Sequence, residues 1–428
     1  MSTPRRLPHR AWGVAAVTFV ALVGAAGFRA TPGVLIVPLQ DEFGWDRGVI
    51  SLAVSVNLLL FGLMAPFAAA LMERFGIRTV VACALTVIAL GSGLTTQMSQ
   101  SWELVALWGV MVGVGAGSMA LVFGATVANR WFVTRRGLVM GILTAGSATG
   151  QLIFLPLLAV LVDAHGWRSA SWTVSLAALA VVPLVLLLLR ERPSDVGLLP
   201  YGGTEPVPVP QAATSPARAA IGALRVASHV PAFWLLVGGF AICGATTNGL
   251  IGTHFIPAAH DHGLPATTAA SLLALVGLFD IVGTIASGWL TDKVDSRVLL
   301  WWYYALRGLS LFALPSLFAS SLHPHMLVFV LFYGLDWVAT VPPTVTLCRE
   351  LFGEQGTLVF GWVFASHQVG AGLAAFAAGA LRTSLGNYDA AWYGAGALCL
   401  VAAGLSLGVR RPAIATVLPE LSPLVRFD

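Results

Sequence analysis

Four ionisable residues stand inside otherwise apolar runs of this chain: Arg29, Asp280, Arg307 and Asp336. Charge in hydrocarbon is costly, so each of them needs a partner or a task. A guanidinium can hold a carboxylate through two parallel N–H···O bonds. A carboxyl group that takes up a proton can release a guanidinium paired with it, which joins proton uptake to anion binding in one charge balance. The chemistry these residue types point to is reversible binding of a small organic anion and a proton, with no covalent step. Weaker additions are His254 and His367, each in an apolar run.

Spacing supplies a first pairing. Asp280 lies twelve residues from Asp292 and Arg307 ten from Arg297, or about 18 Å and 15 Å along their helices. Adjacent antiparallel helices bring the two to similar depth, so an Asp280–Arg307 pair is expected, either purely structural or coupled to proton uptake. Small or polar stripes recur at three- and four-residue steps: Gly277, Asp280, Thr284 and Ser287; Tyr333, Asp336, Thr340 and Thr344; Thr144, Ser147 and Gln151. Such stripes serve helix packing or line a hydrated path. Three of them favour the path. The expected cargo contacts are Arg29, Arg307, Tyr333, His367, Thr144 and Gln151, with Asp280 and Asp336 carrying the proton and Asp336 a resting partner for Arg29.

The elements that must position these groups follow from composition. The 428 residues are 57% hydrophobic and 10% charged, with a mean hydropathy of +0.85. Water-soluble domains carry about a quarter charged residues, so lipid is the expected solvent. Twelve apolar runs reach the roughly 20 residues that a bilayer requires: 11–38, 47–72, 77–97, 102–127, 136–163, 168–190, 231–257, 266–291, 297–319, 324–347, 356–383 and 388–410. With both termini inside, the cytoplasmic side receives 18 Lys and Arg and the outer side only Arg47, Arg168 and Arg382. That bias fixes orientation and accounts for the net charge of +4 without any nucleic-acid role.

The expected organisation is an N-terminal six-helix bundle over 1–190, a cytoplasmic linker over 191–230, and a second bundle over 231–428 ending in a short cytoplasmic tail. The linker is rich in Pro, Gly and Ala, and PARAAIGALRVASH within it suits a short helix on the inner membrane surface, anchored by Arg218 and Arg225. MSTPRRLPHR resembles the start of a secretory signal, but its apolar run continues to about Pro38, and cleavage would remove a span. Cys83, Cys243, Cys348 and Cys399 lack metal-ligand spacing and read as small core residues. No GxxxxGK[ST] stretch is present to bind ATP, and no nucleophile elbow or HExxH spacing suggests an enzyme.

Two stretches occur twice. WFVTRRGLVMGILTAGSATG, from Trp131 to Gly150, returns 220 residues later as LFGEQGTLVFGWVFASHQVG, setting Gly141 against Gly361 and Gly150 against Gly370. AALMERFGIR, from Ala69 to Arg78, returns after 219 residues as GWLTDKVDSR, pairing Glu73 with Asp292, Arg74 with Lys293 and Arg78 with Arg297. Short basic turns with an acid can bond to helix ends, so these six residues, with the Arg135–Arg136 doublet, are expected to latch one conformation.

These residues resemble the major facilitator superfamily over essentially the whole chain. The two turns look like its signature after spans two and eight, with Ala69 where the first copy usually has Gly. The resemblance implies an all-α membrane protein with twelve transmembrane helices in two pseudo-symmetric six-helix bundles. More narrowly, WFVTRRGLVMGILTAGSATG is similar to the fifth-span signature of the monocarboxylate transporter family. AWG with GFRATPGVLIVPLQDEFG is similar to its first span, and RPSDVGLLPYG to the bacterial monocarboxylate and oxalate/formate branch. That family carries a span-eight Asp followed four residues later by Arg; here Asp280 is followed by Thr284, and Arg307 is the expected substitute. It also carries a first-span lysine that engages the carboxylate. Ala30 takes that position here, with Arg29 one residue earlier, a turn of about 100° on a helix.

The expected function is secondary active transport of a small organic monocarboxylate with a proton, by alternating access, in a bacterial inner membrane. Partners are the anion, protons and the bilayer. No cofactor or metal is expected, and the monomer is expected to suffice. Alternatives are a proton-coupled exporter of amphipathic compounds, an organic anion exchanger and, from another class, a ligand-binding membrane sensor.

Overall fold

The computed structural model describes residues 9–205, 216–291 and 293–410. The described chain is helical: α1 (Arg10–Phe43), α2 (Arg47–Phe75), α3 (Ile77–Leu94), α4 (101–131), α5 (Arg136–His165), α6 (Trp167–Leu188), α7 (Pro216–Ala227), α8 (Pro231–Asp261), α9 (Ala266–Thr291), α10 (Ser296–Ala313), α11 (Pro324–Phe352), α12 (Gly356–Leu385) and α13 (Asp389–Gly408). Among the described residues ten segments are long and apolar enough to cross a membrane. The shorter apolar helices Ser101–Gly117 and Thr149–His165 fall within α4 and α5, where the fourth and fifth spans are expected. Only α7 lies outside the twelve runs. It buries Ala220, Ala223 and Ala227, packs on α2 and α12, and receives a bond from Trp362 Nε1 to its Ala220 carbonyl.

The repeat noticed in the sequence is a repeat of packing. Gly150 lets α5 lie against α1, where a Cβ would strike Ala26 and stand 2.9 Å from the Val23 carbonyl. Gly370, 220 residues on, lets α12 lie against α8, where a Cβ would strike the Ala241 carbonyl. Each half thus seats its fifth span on its first through the same glycine. The halves meet where α2 packs along α12, α5 along α9, and α1 against the end of α8.

Three stretches with a family resemblance converge on one contact. Trp12 of AWG, Phe132 of the WFV turn and Tyr201 of LLPYG form an aromatic cluster with centroids 5.3–5.8 Å apart. The segment after α6 is strapped to the turn by Tyr201 N donating to the Trp131 carbonyl (2.8 Å) and Val133 N donating to that of Tyr201 (3.0 Å). Arg135 bends the chain into α5 with φ +60°, rare for a residue with a side chain.

The turn between α2 and α3 is closed by a residue whose role the sequence does not announce. Glu191, just past α6, accepts from Ile77 N (2.7 Å) and Arg78 N (2.9 Å), capping the free donors of α3, and pairs with Arg130 (3.5 Å). Gly76 is required there: its φ is +83°, and a Cβ would stand 2.6 Å from Glu191 Oε1. Gly76→Ala is therefore expected to cost about 1–3 kcal/mol, lowering the Tm of the detergent-solubilised protein. Gly166, also at positive φ but with open space around it, should cost less on the same change.

Candidate functional site

A cavity of about 60 Å³ lies between the halves, with room for a few waters or a small solute. From the N-terminal half it is lined by Phe28 and Pro32 of α1, Asn57 and Phe61 of α2, Trp108 of α4, and Gln151 and Leu155 of α5. The other half supplies Asn248 and Thr253 of α8, Gly277 and Asp280 of α9, Trp337 of α11 and Gln368 of α12. Most of the lining is apolar, with a few amides and one carboxylate, as small-ligand sites are built. Irregular backbone borders it on both sides. Val105–Val112 of α4 and Ala245–Ile251 of α8 are π-helical, a form common at functional sites. Asn57 Nδ2 holds the first of these by donating to the Trp108 carbonyl (2.9 Å).

Asp280 is the acid of this cavity, and both of its hydrogen bonds converge on one oxygen. Oδ1 accepts from Thr284 Oγ1 (2.9 Å) and from Val338 N (3.0 Å). Thr284 occupies the place where the related family has arginine, so a neutral donor replaces a cation. The Val338 amide is free because α11 breaks between Asp336 and Val341, ahead of Pro342 and Pro343, which bring no N–H of their own. Oδ2 of Asp280 receives no donor among the described residues, leaving a position for a proton.

The expected Asp280–Arg307 pair requires correction. Arg307 reaches the same helix break from the other side and pairs with Asp336 instead, Nε to Oδ2 at 2.6 Å. Its Nη2 donates to the carbonyls of Asp336 (2.6 Å) and Trp337 (3.3 Å), and Nη1 to Cys243 Sγ (3.0 Å). Ser287 Oγ donates to the Ala339 carbonyl (2.5 Å). Three side chains thus satisfy the backbone groups that the break exposes, as membrane interiors demand. Arg307 is 1% exposed, and neither it nor Asp336 lines the central cavity. With Tyr333 they line instead a separate cavity of about 130 Å³ within the C-terminal half.

Of the other expected cargo contacts, Gln151 lines the cavity. Tyr333 is buried away from it, its hydroxyl donating to the Thr246 carbonyl (2.8 Å) of the α8 π-helical segment. His367 also lies off the cavity, stacked on Phe364 and 3.5 Å from Thr247 Oγ1, while its neighbour Gln368 faces in. Arg29 follows Phe28 on α1, but its side chain and that of Thr144 lie outside the described residues.

Only part of the expected latch lies within the described residues. Glu73 and Arg136 side chains, and Asp292 altogether, lie outside the described residues. Arg74 sits over Phe75, Lys293 over Trp289, and Arg297 on Asp295 and the Val409 carbonyl, each within its own half. Arg78 is held by its backbone, and Arg135 is exposed. Among the described residues, the ion pair that joins the halves is at the opposite face: Arg47 of α2 with Asp261 of α8, bidentate, both bonds 2.6 Å. Nothing in a single sequence pairs residues 214 positions apart.

Comparisons with known proteins bear on family and fold. The model of the Major Facilitator Superfamily matches residues 17–359. The uncharacterised MFS-type transporter YcxA of Bacillus subtilis is 28% identical over 94% of this chain and 95% of its own length. Monocarboxylate transporter 13 of Rattus norvegicus is 29% identical over 93% of this chain and 89% of its own. Among solved structures, a bacterial homologue of the human lysosomal transporter Spinster superposes with a TM-score of 0.72 at 15% identity, covering 94% of this chain and 97% of that one. A D-xylose–proton symporter gives 0.72 at 14% identity, covering 92% and 97%.

Proposed function

From the premise that this chain belongs to the Major Facilitator Superfamily, as an integral multi-pass membrane transporter of the all-helical fold and not an enzyme, we propose that its cargo is a small organic monocarboxylate moved together with a proton. The observation that carries this reading is Asp280: a carboxylate on the wall of the cavity between the halves, held through one oxygen by two neutral donors. An ionised group so placed costs several kcal/mol unless something arrives to balance it.

In this reading Arg29 supplies the cation that balances ionised Asp280 in the empty carrier. A proton on Asp280 Oδ2 leaves both Oδ1 bonds intact and frees Arg29 to take the cargo carboxylate in a planar, two-bond grip. Gln151, Asn248 and Gln368 dress the remainder of a cargo that the small cavity restricts to a few heavy atoms. The halves rock about this site. The monocarboxylate transporter relatives support the cargo class. The basic-residue bias supports a cytoplasmic location for the face carrying Arg74 and Arg135, with both termini on that side, in a bacterial inner membrane.

Purified protein in proteoliposomes tests this directly. With an inside-alkaline pH gradient, initial uptake of labelled two- to four-carbon monocarboxylates is expected to exceed that of protein-free vesicles at least tenfold. Dicarboxylates and organic cations should show no such excess. Equal stimulation of amphipathic cations would favour the exporter alternative and overturn the carboxylate reading.

A further inference from the structure

The lock at the face we assign as external is built with one carboxylate too few. Asp261, at the end of α8, receives both Arg47 nitrogens at 2.6 Å and Arg382 Nε at 2.8 Å. Arg47 also donates to Gln40 Oε1 (2.9 Å) and to the Tyr388 hydroxyl (3.2 Å), which His254 Nδ1 meets from behind at 3.1 Å. Arg47 is 5% exposed, so this is a desolvated clasp and no surface pair. Asp261 and Arg382 belong to the same half, Arg47 to the other. Any opening at this face therefore leaves Asp261 with Arg382 and strands Arg47 on the N-terminal half.

A stranded guanidinium at that seam has a clear complement. The same face exposes Asp41, Asp46 and Asp389, which repel an approaching anion, while its Arg168 is taken up by Glu42 (2.6 Å), so a free cation is needed where the path begins. Phe28 and Asn57, in the two helices that Gln40 and Arg47 belong to, line the central cavity below. We propose that Arg47 is the docking residue for the incoming anion: Asp261 occupies its guanidinium when the face is closed, and a cargo carboxylate occupies it when the face is open. Closure then returns Asp261 to Arg47 and displaces the cargo inward. This inference rests on the reading of the cargo as an anion.

Ser51 offers a probe that needs no cargo. It lies one turn from Arg47 on α2, fully buried against Gly379 of α12. In a Ser51→Cys, Cys83→Ser protein in intact cells, labelling is compared for an anionic reagent (sulfonatoethyl methanethiosulfonate) and a cationic one (trimethylammonioethyl methanethiosulfonate). Asp261→Asn, alone or with Arg382→Gln, is expected to raise labelling by both reagents and to favour the anionic one. Arg47→Gln should raise labelling too, with the anionic-to-cationic ratio about tenfold lower, the effect of one unit charge nearby in a half-hydrated crevice. Arg47→Lys should keep the ratio. No rise in any variant would overturn the lock. Equal ratios in Asp261→Asn and Arg47→Gln would reduce Arg47 to a clasp and overturn the docking role. Because the reagents replace cargo, failure of carboxylate uptake is read separately from either result.

Discussion

Asp280→Asn is expected to abolish net proton-driven uptake while sparing exchange of labelled for unlabelled cargo. Asparagine keeps an Oδ1 that accepts from Thr284 and Val338, so the bonds that tie α9 to the break in α11 survive and the protein should fold. It imitates the protonated carboxyl, and the loaded carrier can still cross. The empty carrier is expected to return more slowly, because the proposed charge balance between Asp280 and Arg29 is then lost. An uncompensated ion in the membrane interior costs about 3 kcal/mol or more, so net uptake should fall on the order of a hundredfold. Loss of exchange and net uptake together, in folded protein, would show instead that the acid holds cargo directly. Full retention of both would remove Asp280 from the mechanism.

The second large effect belongs to stability. Arg307→Ala leaves the Asp336 carboxylate and two carbonyls buried without their donor, and about 3–5 kcal/mol of bundle stability should be lost. A sharp drop in monodisperse protein after extraction, or in Tm, checks it. The pair Arg307→Gln with Asp336→Asn removes both charges yet keeps a donor for the Asp336 carbonyl, so most of the loss should be recovered. Uptake by that double variant is expected within about threefold of the parent, since neither residue lines the central cavity. A well-folded double variant without transport would return Arg307 and Asp336 to the cargo path.

How much of this was legible beforehand divides along physical lines. The twelve spans were readable because lipid leaves a helix as the cheapest backbone solution. The 220-residue repeat announced that α5 and α12 play equivalent parts. Depth along a helix follows from counting residues, and Asp280 and Arg307 do meet at one break in α11. Counting says nothing about which way a helix faces. Asp336 stands at the same depth on a third helix, and there the exposed carbonyls of a broken turn compete for the guanidinium. Thr284 illustrates a related limit: as a departure from the family it signalled a missing cation, whereas its hydroxyl fills the same position without charge. Glu191 and Asp261 went unremarked because each acts at a helix end on partners 61 or more residues away.

The central claim, that one proton travels with each anion through Asp280, is tested most directly by watching protons. An inward gradient of a short monocarboxylate is imposed on lightly buffered proteoliposomes while external pH is recorded against protein-free vesicles. External alkalinisation is expected at close to one proton per labelled anion entering, absent with Asp280→Asn. Anion entry through the parent protein with no pH change above the vesicle background would contradict it.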